Sequence, residues 1–173
     1  HGALRFYVMG DRAARLEPAN DADIARMRAL AAEAMRAGAV GFSTSRTLNH
    51  RTKTGDPTPS LRATEAELTA IALGLRDAGH GVIEMISDFD TPDLVTEFAM
   101  IRRIVAASGR PLTLSLAQRH GAPHLWRTLP DMIEAAAEAG LPISAQVAPR
   151  PLGVLLGLQA SLNPFSTHPS VKA

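Results

Sequence analysis

A single carboxylate stands inside an otherwise apolar run of this 173-residue chain, at Glu84 in the sequence GVIEMISDF. Burying a carboxylate is costly unless it is paired, hydrogen-bonded or bound to metal. Glu84 is therefore the first candidate for chemistry, as a general base or as a metal ligand. A carboxylate held in a purely structural network is the alternative. Asp88 and Asp90, which follow it, are expected to be loop residues that lead into a helix.

A cluster of hydroxyl groups beside a guanidinium follows a short apolar run that ends near residue 43. Ser43, Thr44 and Arg46, with Ser45 among them, could bind a carboxylate or an acyl oxygen of a small-molecule substrate. Hydroxyls at such places also commonly satisfy backbone groups in turns, and that alternative stays open.

Polar and apolar residues alternate in two later segments, PLTLSLAQ and ISAQV. In a strand this alternation places Thr113 and Ser115 on one face and the leucines between them on the other. Gln118 and Gln146 extend the two polar sets. Ser115, Gln118 and Gln146 are predicted to contact substrate, and a hydrogen-bonded interior is the alternative.

An arginine between two prolines, Arg150, lies in the last part of the chain. The prolines restrict the backbone around it, which suits a preorganised two-point hold on a carboxylate. An exposed loop arginine is the alternative.

The histidines predict no metal site. His120 and His124 have the spacing of a helical metal pair, but Gly121 and Pro123 interrupt a helix there. Three further histidines stand in or beside turns and are expected at the surface: His50, His80 and His168.

Four helical segments alternate with four short strands, an order that predicts an α/β fold with a parallel sheet. The expected helices cover residues 21–37, 64–79, 91–109 and 128–140, and the expected strands cover 40–43, 82–86, 111–116 and 142–147. Thr64 and Glu67 have the spacing of a capping box, and Thr91 is expected to cap the third helix. A closed barrel and a doubly wound sheet both fit this order. In a barrel, the active site lies where the strands end.

The composition is that of a globular domain, with 46% hydrophobic and 20% charged residues. A net charge of +1 and few aromatic residues argue against a nucleic-acid partner. No run approaches the ~20 apolar residues that span a membrane. The absence of cysteine excludes disulfides and thiolate metal sites and is compatible with any compartment. The default expectation is a cytoplasmic protein.

Two phrases, HGALRFYVMG at residues 1–10 and GAVGFSTSRT at 38–47, resemble the N-acyl-D-amino-acid deacylases, the D-aminoacylase-like branch of the metal-dependent amidohydrolases. The resemblance implies that residues 1–173 form a single domain, part of a (β/α)8 TIM-type barrel lacking N-terminal and C-terminal parts. Exposed strand edges would then favour self-association. It also implies hydrolysis of N-acyl-D-amino acids by zinc-activated water in an intact relative.

The chain departs from this family at its metal ligands. By resemblance, Met85 and Leu116 stand where the family has histidines, and Gln118 stands where it has a lysine. We therefore expect that this chain alone binds no zinc and is inactive. Two other hypotheses remain: a rebuilt site in which Glu84, Gln146 and His1 join ligands from elsewhere, and a metal-free barrel that binds a carboxylated molecule.

Overall fold

The computed structural model describes residues 1–89, 94–118, 123–151, 153, 157–159, 163, 165 and 168–171. Helices and strands alternate along most of this part of the chain. They are α1 (Gly2–Met9), α2 (Asp11–Ala14), α3 (Asp21–Arg36), β1 (Gly41–Arg46), α4 (Glu65–Ala78), β2 (Val82–Ser87), α5 (Leu94–Ser108), β3 (Leu112–Ser115), α6 (Leu125–Glu138), β4 (Ile143–Gln146) and a 3₁₀ turn (Pro169–Val171).

The four strands form one parallel sheet in the order β1-β2-β3-β4. The predicted α/β class and parallel sheet are confirmed. Each neighbouring pair of strands is joined through a helix, as parallel pairing requires. Within the described residues, β1 and β4 are the two edges of the sheet.

One face of the sheet is apolar and packs against the helices. Ile83, Met85, Leu112 and Leu114 are buried there in one hydrophobic cluster with side chains of α3, α4 and α5. Burial of each such side chain contributes about 1.5–3 kcal/mol. A one-residue slip of a strand would expose this whole set, so the apolar face sets the register. The alternate residues of the strands face the other way.

The first residues of α3 and α4 show two kinds of cap. Asn20 and Asp23 form a complete capping box, each side chain bonded to the other's backbone N–H at 2.9 Å. At α4, the Thr64 hydroxyl accepts from the Glu67 N–H at 3.3 Å. The Glu67 carboxylate does not complete the predicted box, because it is directed at buried cationic and imidazole groups instead.

The main differences from the sequence-based expectation concern β1, α6 and the first two helices. β1 continues to Arg46 because its pairing with β2 continues to Ser87. α6 begins at Leu125 and contains Pro130, whose fixed φ suits a helix although it lacks an N–H. α1 and α2 were not predicted, and Gly10 separates them with a φ of 57°. The expected cap at Thr91 lies outside the described residues.

None of the helices in the described ranges combines the length and the apolar character needed to cross a bilayer.

Candidate active site

A cavity of about 930 Å³ lies over the polar face of the sheet. Its floor comes from the strands, one wall from α1, and another wall from the loop that follows β1. The floor residues are Ser43, Ser45, Glu84, Ile86 and Ser115. Successive side chains of a strand point to opposite faces of the sheet. Because the polar positions of neighbouring strands are aligned, their side chains share the face that carries the cavity.

A row of polar side chains crosses the sheet through Glu84. The register aligns Ser43 with Glu84, Glu84 with Thr113, and Thr113 with Ser144. One step further along, Ser115 aligns with Gln146. The alternation expected for Thr113 and Ser115 is confirmed, since Leu112 and Leu114 are buried on the opposite face.

Glu84 is half-buried and makes no hydrogen bond or ion pair within the described part of the chain. Burial raises the pKa of its carboxyl, and attraction to His50 partly opposes this rise. A carboxyl group with a raised pKa that faces a cavity is suited to accept a proton near neutral pH. Its role as a base remains a prediction.

β1 is longer than expected, and its alternating side chains divide the predicted cluster between the two faces of the sheet. Thr44 belongs to the cavity lining, but its hydroxyl is engaged by His1 Nδ1 at 2.8 Å, and Arg46 turns to the helix side of the sheet. Arg46 forms a two-point ion pair with Glu97, at 2.6 Å from Nε to Oε1 and 3.1 Å from Nη2 to Oε2. Its Nη1 also donates to the Ala63 carbonyl at 2.7 Å. The guanidinium is thus engaged on the helix side of the sheet, although it was predicted to bind substrate.

The remaining predicted contacts are not gathered at the cavity. Gln118, Gln146 and Arg150 are exposed, beyond the end of β3 or near the open edge at β4. Within the described residues, the Arg150 guanidinium donates to the neighbouring Pro151 carbonyl at 3.3 Å. These positions do not test whether the three residues contact substrate, so their substrate-binding roles stay predictions. His124 is exposed at the start of α6, and His120 lies outside the described residues.

The two positions matched to the family's histidines also do not face the cavity. Met85 is 1% exposed and lies on the helix side, so the residues of β2 that reach the cavity are Glu84 and Ile86. Leu116 packs against the core, and its N–H donates to the Gln146 carbonyl at 2.9 Å.

A buried charged cluster behind β1 was missed by the sequence analysis. Glu67 Oε1 lies 2.6 Å from His1 Nε2 and 3.1 Å from Arg5 Nε, with all three side chains fully buried. The other ring nitrogen of His1 bonds to the Thr44 hydroxyl at 2.8 Å. Burial raises the pKa of Glu67, while Arg5 opposes the rise. The sequence did indicate that Glu67 is buried, because it lies four residues before the apolar Ile71 and therefore on the same face of the helix.

His50 was expected at the surface, and although exposed it also lines the cavity. Its Nδ1 lies 2.9 Å from the Ser45 hydroxyl. The loop that carries it is fastened to the sheet: Ser60 donates to the Ser45 carbonyl at 2.9 Å, and Asp88 binds the Thr47 hydroxyl and the Leu48 N–H. Sequence reasoning could not find His50 because these contacts depend on how the loop folds back.

The described residues do not fit a bound metal ion. They contain no group of three or more histidine, aspartate or glutamate side chains placed to hold one. A catalytic zinc site uses three protein ligands. Glu84 and His50 are only two donors and do not converge in an ion pair.

Comparison with solved structures links the fold to one group of enzymes. The chain matches three structures of D-aminoacylase, at 26–27% identity and TM-scores of 0.66–0.67 over 87% of its length. One belongs to a study of the binuclear metal center of that enzyme, one is a mutant with copper chloride, and one defines D-aminoacylase as a novel subset of amidohydrolases. The chain spans 29% of those chains. No protein-family model and no curated protein matches it.

The structural similarity confirms the resemblance inferred from the two sequence phrases. This chain is similar in fold to the D-aminoacylases, and hence to an amidohydrolase subset whose studied member has a metal centre.

Proposed function

We propose that the intact protein carrying this chain hydrolyses the amide bond of N-acyl-D-amino acids, with Glu84 as the general base. The observation that supports this most directly is the position of Glu84, a half-buried carboxyl on the floor of a cavity in a D-aminoacylase-like fold. We expect the protein to act in the cytoplasm on a small-molecule substrate.

The chemistry follows from the groups on the cavity floor. The Glu84 carboxylate accepts a proton from water as the water oxygen bonds to the amide carbon. The hydroxyls of Ser43 and Ser115 provide hydrogen-bond donors for the substrate's carbonyl oxygen, while the Ser45 hydroxyl is engaged with His50. No step is assigned to zinc, because the described residues do not fit it.

We also propose that β1 to β4 belong to a (β/α)8 barrel. The supporting features are the parallel order, the packing of α3, α4 and α5 on the apolar face and the polar face that carries the cavity. A barrel would enclose that polar face and pair the open edges. In the segment of residues 1–173 alone, we expect little or no hydrolysis.

A metal-free barrel that binds a carboxylated molecule is the other candidate function from the sequence. It depended on Arg46 and Arg150 as the carboxylate-binding groups. Arg46 is already paired with Glu97, and Arg150 is exposed in a loop. No cavity-lining arginine replaces them in the described residues, so the hydrolase is the better-supported proposal.

The test compares the intact protein with its Glu84→Gln variant on N-acetyl-D-amino acids, with the L-enantiomers as a specificity control. Glutamine keeps the size and hydrogen-bonding reach of the side chain but is no proton acceptor. We expect the variant to lose about 10²- to 10⁴-fold in kcat, the range typical of a general base. Glu65→Gln, an exposed change on α4, is the matched control. Unchanged turnover in Glu84→Gln would refute the role of Glu84.

A further inference from the structure

His50 and Glu84 face the same cavity from different elements. Glu84 rises from the middle of β2, and His50 reaches in from the loop after β1. The His50 ring is oriented by Ser45 at Nδ1, which leaves Nε2 without a hydrogen-bond partner among the described residues. His50 partly opposes the rise in the pKa of Glu84, and the two side chains form no direct ion pair in the described part of the chain. Both side chains line one cavity, so a substrate bound in it can contact both.

The other ionisable groups around the cavity are engaged or differently placed. His1 is occupied by Thr44 and Glu67, and Tyr7 lies on the α1 wall with its side chain largely in solvent. Arg51, next to His50, donates to the Gly55 carbonyl at 2.9 Å. Glu84 and His50 are thus the cavity-lining pair best placed to exchange protons with a ligand.

We propose that His50 is a second catalytic residue, which donates a proton to the leaving nitrogen while Glu84 accepts one from water, and that Ser45 positions its ring. This rests on the proposed amide hydrolysis. The water oxygen bonds to the carbonyl carbon, and its proton passes to Glu84. The C–N bond then breaks, and the nitrogen takes the Nε2 proton of protonated His50. The products are a carboxylic acid and an amine, and transfer of the proton from Glu84 to His50 restores both groups.

The leaving group provides the sharpest test. An amide nitrogen must be protonated to leave, whereas 4-nitrophenolate leaves without a proton. In the intact protein, His50→Gln should therefore lose about 10²- to 10⁴-fold on N-acetyl-D-amino acids, and much less on 4-nitrophenyl acetate. His50→Asn serves as a second variant, and the exposed His124→Gln is the control. Equal losses on both substrates would overturn the proposal.

Ser45 acts through His50, so its variants should show the same pattern more weakly. Ser45→Ala should lower amide turnover with the ester little changed, and Ser45→Thr, which keeps the hydroxyl, should recover it. A Ser45→Ala variant that loses both substrates equally would contradict a positioning role.

A measurement without turnover separates this proposal from the proposed function. In the 173-residue chain with ¹³C-labelled glutamate carboxyls, His50→Gln should raise the pKa of Glu84 further, because an opposing positive charge is removed. His124→Gln should not. An unchanged Glu84 titration overturns the pairing. The Glu84 titration could shift although the intact protein hydrolyses no amide. The interaction of His50 with Glu84 would then be confirmed, but the proposed function and the catalytic role of His50 would both be refuted.

Discussion

Replacing Glu67 with alanine should strongly destabilise this fold. Glu67 is the carboxylate of a fully buried cluster, in contact with His1 at 2.6 Å and Arg5 at 3.1 Å. Without it, the Arg5 guanidinium would remain buried, and its remaining partners among the described residues would be the carbonyls of Pro59 and Glu17. A buried cation that loses its counter-charge cannot regain it from solvent.

The size of the effect follows from burial. Removing one partner of a buried ion pair costs about 3–5 kcal/mol. Glu67 Oε2 and Arg5 Nε both lack a hydrogen bond, so the cluster is imperfectly satisfied and a loss nearer 3 kcal/mol is expected. The free energy of unfolding of a native protein is typically about 5–15 kcal/mol, so the expected loss is a large fraction of the total stability. Glu67→Gln keeps an acceptor for His1 and should lose less.

Urea unfolding followed by circular dichroism measures this loss, provided that the m-value is unchanged. The matched control is Glu65→Ala, two residues earlier on α4, where the carboxylate pairs with exposed Arg103 at 2.7 Å. Solvent screens that pair, so its removal should change stability far less. If Glu67→Ala is no more destabilising than Glu65→Ala, the buried cluster does not stabilise the fold as argued.

Four further predictions follow from the same structure. Burial raises the pKa of Glu84, so the folded state holds the proton of the Glu84 carboxyl more tightly than the unfolded state does. The free energy of unfolding should therefore fall as pH rises towards and through the raised pKa. Urea unfolding of Glu84→Gln at several pH values should show a flatter dependence of this free energy on pH. Arg46→Ala should cost about 1.5–3 kcal/mol by breaking charged hydrogen bonds to Glu97, whereas Arg150→Ala should leave the unfolding midpoint unchanged. The purified chain should hold no stoichiometric zinc by elemental analysis after dialysis, and one tightly bound equivalent would contradict this. It should self-associate through its open strand edges in size-exclusion chromatography with light scattering, and a compact monomer would argue for a self-contained domain.

The order of helices and strands could be read from the sequence because it depends on local patterns. The apolar spacing in α3 and α4, and the alternation around Thr113 and Ser115, each lie within one segment. Parallel pairing followed from the alternation of the elements. Glu84 stood out because an acid in an apolar strand is unusual wherever that strand lies.

The ends of elements were less predictable because partners from other segments decide them. β1 was expected to end near residue 43, but pairing with β2 continues it to Arg46. This reassigns its side chains: Ser43 and Ser45 face the cavity, while Arg46 turns to Glu97 on the other side. The predicted cluster of substrate contacts was thereby divided between two faces.

The sequence by itself determined the α/β class, the parallel sheet and the polar face that carries Glu84, since residue periodicity determines which side chains can share a face. Only the tertiary structure decided which distant groups meet. His1 reaches Glu67 across 66 positions, and His50 reaches the cavity because its loop folds back on β1. Such contacts depend on how packed elements place side chains in space. The separation of two residues along the sequence does not determine the distance between their side chains in the fold.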